Sequence, residues 1–113
     1  MLLLIQKTYS VLIFRAHIET LLWGNMEHID YIKDKYEDFD LIIGSDVLYD
    51  PKNYQNLLST ILQLSEKQTT VVTFGGTKRH LEKQFLELAT PFYNTSMQDL
   101  QSNNKYVFHI TRR

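Results

Sequence analysis

Residues 38–51 read "DFDLIIGSDVLYDP". Asp40–Gly44 carries a short, unbroken apolar run, the pattern of a strand covered on both faces, as in a parallel sheet flanked by helices. The run stops at Gly44 and Ser45. Two acids four residues apart, Asp46 and Asp50, then enclose Tyr49 before Pro51. A plain turn needs only some of these groups. In open parallel sheets ligands sit beyond the carboxyl ends of the strands, so this strand end is the first place to look for a site.

Downstream, Pro51 suits the first turn of a helix reaching Leu64, with Tyr54, Leu57, Leu58, Ile61 and Leu64 as its apolar stripe. Residues 69–74 read as a second strand, ended by Gly75 and Gly76. Thr77 can cap a further helix with Leu81, Phe85, Leu88 and Ala89 on its core face, stopped at Pro91. Residues 92–97 and the terminal "YVFHI" pair as a closing hairpin around a polar loop. Upstream, "HIETLL" (17–22) reads as a strand punctuated by Trp23-Gly24-Asn25. Ile29, Ile32 and Tyr36 give "MEHIDYIKDKYEDF" a helical apolar spacing. Asp30, Lys33, Asp34 and Lys35 make its solvated face. Val11–Phe14 fits a buried strand or a helix segment, and residues 1–16 stay unassigned. The order predicts an α/β sheet, mostly parallel, with an antiparallel hairpin at its end.

The 113 residues and their 43% hydrophobic content fit a single domain over 1–113. With 12 basic and 13 acidic residues there is no electrostatic footprint for nucleic acid. The chain has no cysteine, which excludes disulfides and thiolate metal sites, and its four histidines show no ligand spacing, so no metal is expected. The opening apolar run is broken at Gln6 and Lys7 and lacks a basic region before it. Neither a secretory signal nor a membrane span is read there, and the expected location is the cytoplasm.

Three strand ends bring polar or flat groups to one edge: Trp23-Gly24-Asn25, Ser45-Asp46 with Tyr49-Asp50, and Phe74-Gly75-Gly76-Thr77. A tryptophan beside a glycine offers a flat, approachable face for a heterocycle. A carboxylate can accept from an amine or a ribose, and a tyrosine can wall a narrow channel. Each group also has an ordinary reading. Asp46 or Asp50 can cap the following helix, Trp23 and Tyr49 can be core, and Gly75-Gly76 can be a turn.

Taken together, Leu21-Leu22-Trp23-Gly24, Asp40-Leu41-Ile42-Ile43-Gly44-Ser45-Asp46-Val47-Leu48-Tyr49 and Leu57-Leu58 closely resemble the seven-β-strand protein-lysine methyltransferase-like family. The likeness runs over about residues 17–113, through "TTVVTFGGTKRHLEKQF" with Arg79 and Phe85, to "KYVFHITRR". It implies a partial Rossmann-like class I sheet and S-adenosylmethionine as cofactor. Trp23 would lie against the adenine, and Gly44 and Ser45 would border the cofactor near its sulfonium. Asp46 and Tyr49 would flank the channel for the target side chain, a lysine of a protein substrate.

One part of the family pattern is missing. Its first strand ends in a glycine-rich loop followed by a ribose-binding acid, whereas residues 1–22 contain no glycine and, of acids, only Glu19. The resemblance is therefore to the C-terminal half of such an enzyme. In the family's sheet order, 3-2-1-4-5-7-6, strand 40–44 would lose its neighbour and become an exposed apolar edge, a route to self-association. Two rearrangements are expected: residues 9–15 supply a substitute strand, or strand 17–22 pairs with 40–44 directly. Three functions follow: a methyltransferase, a non-catalytic fragment that binds protein, or part of a longer product whose start lies upstream.

Overall fold

The computed structural model describes residues 2–7, 14–17, 22–36, 38–48, 50–77, 82–99 and 105–113. In chain order they form β1 (Leu2–Lys7), β2 (Phe14–His17), α1 (Met26–Tyr36), β3 (Leu41–Ser45), a 3-10 turn (Pro51–Asn53), α2 (Tyr54–Leu64), β4 (Val71–Thr77), α3 (Glu82–Ala89), β5 (Tyr93–Asp99) and β6 (Lys105–Arg112). The strands make a six-stranded sheet in the order β2-β1-β3-β4-β6-β5.

The sheet is mixed, and this corrects the expectation of a mostly parallel one. Only β3 and β4 run parallel, with Leu41 opposite Val71 and Ser45 opposite Gly75. Every other pair is antiparallel. Connection length accounts for part of this: α2 gives β3 and β4 the crossover that a parallel pair needs, whereas residues 8–13 and 100–104 are too few for one and make β1–β2 and β5–β6 hairpins. The expected C-terminal hairpin is present as β5–β6, from Tyr93↔Arg112 to Asp99↔Tyr106.

Strand β3 is not an edge. Its free side is taken by Leu2–Lys7, with Leu2 opposite Gly44 and Ile5 opposite Leu41. Both expected rearrangements thus give way to a third. The substitute strand comes from the first residues, not 9–15, and residues 14–17 form the outer strand β2 instead of pairing with β3. Leu4 shows why this register holds: it faces Ile42 and is 2% exposed, so the start of the chain contributes to the core. Among the described residues the outer strands are β2 and β5. Residues 18–21, most of the expected strand 17–22, lie outside the described residues.

One core lies between the sheet and the helices. It joins Ile42, Val72, Phe74, Phe108 and Ile110 from alternate strand positions with Ile29 and Ile32 of α1, Leu57 and Ile61 of α2, and Phe85 of α3. Phe74 meets the Phe85 and Phe108 rings edge-on at 5.5 Å from each, a favoured aromatic geometry. The opposite face of the sheet, at Leu41, Ile43, Val71, Thr73 and Val107, is half-buried. Gly75 and Gly76 do not end the second strand as expected. They lie within β4, opposite Val107 and Tyr106. The long β6 supplies partners for both, so the ladder continues past the point where the glycines suggest a stop.

Candidate functional site at the carboxyl ends of β3 and β4

The parallel pair ends in a short polar shelf. Beyond the Ser45↔Gly75 pair, the Asp46 N–H donates to the Gly75 carbonyl oxygen at 2.9 Å, extending the ladder by one residue. Asp46 there adopts φ +52°, the left-handed region that non-glycine residues seldom occupy. Ser45 and Asp46 are exposed, while Val47 and Leu48 turn back into the core at 1% and 2% exposure. The chain thus presents two polar residues outward and anchors them with two apolar ones.

The anchor is reinforced from α2. The buried Tyr54 hydroxyl donates to the Leu48 carbonyl oxygen at 2.8 Å. Burial raises the Tyr54 pKa above 10.0, and the negative charges of Glu82 and Asp50 push it the same way. Asp50 itself caps the 3-10 turn, its Oδ1 accepting from the Lys52 N–H at 3.1 Å. Of the two acids, Asp50 has the ordinary capping role, and Asp46 stands on the shelf. Tyr49 lies outside the described residues.

Gly44 is buried one residue before the shelf. A Cβ there would lie 2.4 Å from Phe74 Cδ1, so Phe74 packing on the helix side requires the glycine. Trp23 sits elsewhere, in a turn closed by the Asn25 N–H donating to the Leu22 carbonyl at 2.9 Å. Gly24 takes φ +82° in this turn. Its N–H donates to Thr60 Oγ1 at 2.8 Å, and a Cβ on it would meet Asn56 Oδ1 at 2.7 Å. The dipeptide is therefore seated on α2, and the half-buried Trp23 ring packs against the core. Asn25 then caps α1, accepting from the His28 N–H at 3.1 Å, while Leu22 N–H donates to His28 Nδ1 at 3.0 Å.

Topology puts the turn at the same sheet edge as the shelf. Helix α1 ends at Tyr36, just before β3 begins, so it runs back along the strand and its start lies toward the carboxyl ends. Helix α2 begins at that edge and holds Gly24 against its first two turns. The structure therefore joins Gly44, Ser45 and Asp46 to Gly75 and Gly76, with Trp23 on a separate element at the same edge.

Two groups escaped the sequence reading. Glu82 is 6% exposed, although the expected core face of its helix did not include it. Its spacing to Phe85 and Ala89, three and then four residues, was the available signal. Thr60 was also missed. It accepts from Gly24 while donating to the Asn56 carbonyl at 2.8 Å, and a hydroxyl on an apolar helix face carries no such signal.

The comparisons with known proteins agree with one another. A model of the family described as lysine methyltransferase matches residues 5–92. Protein N-lysine methyltransferase METTL21A of Xenopus tropicalis is 25% identical over 98 residues, which are 87% of this chain and 42% of that protein. The chain thus spans less than half the length of the curated relative it matches.

Proposed function

Since the chain belongs to the lysine methyltransferase family, we propose that it carries the methyl-acceptor half of an S-adenosylmethionine-dependent protein-lysine N-methyltransferase. The observation that carries this reading is the family match across residues 5–92, which takes in both the Trp23 turn and the Asp46 shelf.

The residues at this edge fit the adenine and methyl side of the cofactor. Trp23 keeps a half-open ring on a fixed turn, and Ser45 is exposed past the end of β3. S-adenosylmethionine, when bound, supplies an electrophilic methyl group. The protein's task is then to position a neutral amine, remove its water and let nitrogen gain the methyl as the carbon–sulfur bond breaks, with the proton leaving to solvent. Asp46 accepts a hydrogen bond from the amine and orients its lone pair. Tyr49 walls the channel. Trp23, Gly44 and Ser45 border the cofactor.

A second reading is a methyltransferase-like module that binds protein without cofactor. It is favoured by the direction of β1. Leu2 lies opposite Gly44, so β1 enters at the carboxyl edge and does not end there. A glycine-rich loop after a parallel strand would need the reverse direction.

Trp23 is the chain's only tryptophan, so the test is direct. Its fluorescence is followed during titration with S-adenosylmethionine and S-adenosylhomocysteine, with calorimetry on Trp23→Phe as control. Saturable quenching at micromolar ligand supports the enzyme reading. A flat titration on folded protein supports the binding module.

A further inference from the structure

Resting on the assignment of Asp46 to the acceptor channel, we infer that Gly76 is a positioning residue that seats the Asp46 carboxylate on the end of β4. Three observations meet at this pair. Asp46 adopts φ +52°, its N–H is fixed to the Gly75 carbonyl at 2.9 Å, and its carboxylate lies over Gly76. An added Cβ at Gly76 would fall 2.3 Å from Asp46 Oδ1, 3.1 Å from Cγ and 3.2 Å from Cα.

The first distance is well inside van der Waals contact, so the carboxylate occupies the space a side chain would take. The backbone bond fixes where Asp46 begins, and the missing Cβ leaves the room in which its oxygens rest. A left-handed non-glycine residue persists only when its surroundings hold it, and such residues gather at functional sites. At Asp46 the holding group is a residue of the neighbouring strand. Gly76 lies opposite Tyr106 in the β4–β6 ladder, so its position is set by the sheet and not by a free loop. Gly76 touches no reacting atom in this scheme. It acts through Asp46.

The test is a double-mutant cycle in the full chain with Gly76→Ala against Asp46→Ala and Asp46→Asn. Melting temperature is the first readout. Gly76→Ala is expected to lower it by about 4–8 °C. The drop persists beside Asp46→Asn, which keeps the oxygen and nitrogen in place, and shrinks beside Asp46→Ala, which removes them, to the cost of an alanine at the Gly76 φ of +158°. Equal drops in all backgrounds would overturn the pairing. The second readout is methyl transfer from tritiated S-adenosylmethionine onto an array of lysine-containing peptides, at a temperature where every variant is folded. Turnover of Gly76→Ala is expected to fall about ten- to a hundredfold, with affinity for S-adenosylhomocysteine unchanged and no further loss when Gly76→Ala is added to Asp46→Ala. Unchanged turnover in folded Gly76→Ala would reject the positioning role. If the wild-type chain neither binds cofactor nor transfers methyl, the enzyme reading fails, and the melting cycle still decides whether Gly76 seats Asp46.

Discussion

The Tyr54 hydroxyl on α2 donates a buried hydrogen bond, 2.8 Å long, to the carbonyl oxygen of Leu48. This bond ties the helix to the segment that carries Asp46. Tyr54→Phe keeps the ring, which meets Phe85 edge-on at 5.6 Å, but leaves that carbonyl without its donor. The expected cost is about 1–3 kcal/mol, the penalty for an unsatisfied buried polar group. Urea unfolding reads it as a lower midpoint with unchanged slope.

The α/β order, α2, the terminal hairpin and the strand at Leu41–Ser45 were legible because local periodicity and punctuation agreed there. The partner of that strand was not. Leu2–Ile5 and Val11–Phe14 are both apolar, and a run this short does not declare its register or neighbour. What selects Leu2–Lys7 is the match of Leu4 to Ile42 over the helices, a long-range fact. The site was legible in its residue types and not in their causes. Gly24 read as an open approach and Gly44 as a border of the cofactor, and the structure packs them against Asn56 and Phe74. Gly76 read as a turn, and its strand position beside Asp46 depends on β6.

Leu4→Ala tests the substitute strand. Leu4 is 2% exposed in a core shared with the helices, so truncation should cost about 2–3 kcal/mol through lost burial and a partly collapsed cavity. Chemical denaturation measures this. A cost near zero would mean that β1 is not docked on β3. With β1 loosened, β3 regains an unpaired apolar edge. Sedimentation of the variant should therefore show concentration-dependent association absent from the parent chain.

Gly24→Ala tests whether the Trp23 turn is fixed by α2. The new methyl would meet Asn56 Oδ1 at 2.7 Å on a backbone held at φ +82°. A destabilisation of about 1–3 kcal/mol is expected from the backbone conformation alone, and the turn should shift. Trp23 reports the shift, because its half-buried ring packs on the core and its emission should move to the red as it gains solvent. Asn56→Ala in the same chain should recover part of the emission shift by relieving the contact, while the backbone cost remains.

Two buried tyrosines are expected to make the fold less stable at alkaline pH. Burial raises the Tyr54 pKa above 10.0, with Glu82 and Asp50 adding to the effect. Burial also raises that of Tyr93, and the Ser65 hydrogen bond and the Arg112 charge only partly oppose it. An unfolded tyrosine loses its proton near pH 10.0, while the folded chain keeps both protons to higher pH. The contribution of these groups is therefore complete below pH 10 and is lost as pH rises from there toward the folded values. Melting temperature should fall across that upper window. Tyr54→Phe should make the fall shallower even though it lowers stability at neutral pH, because the variant has one proton fewer to retain. Tyr93→Phe should do the same while losing the 2.6 Å contact of its hydroxyl with Ser65 Oγ. If either variant kept the parent's steepness above pH 10, that tyrosine would not be one of the groups that weaken the fold at alkaline pH.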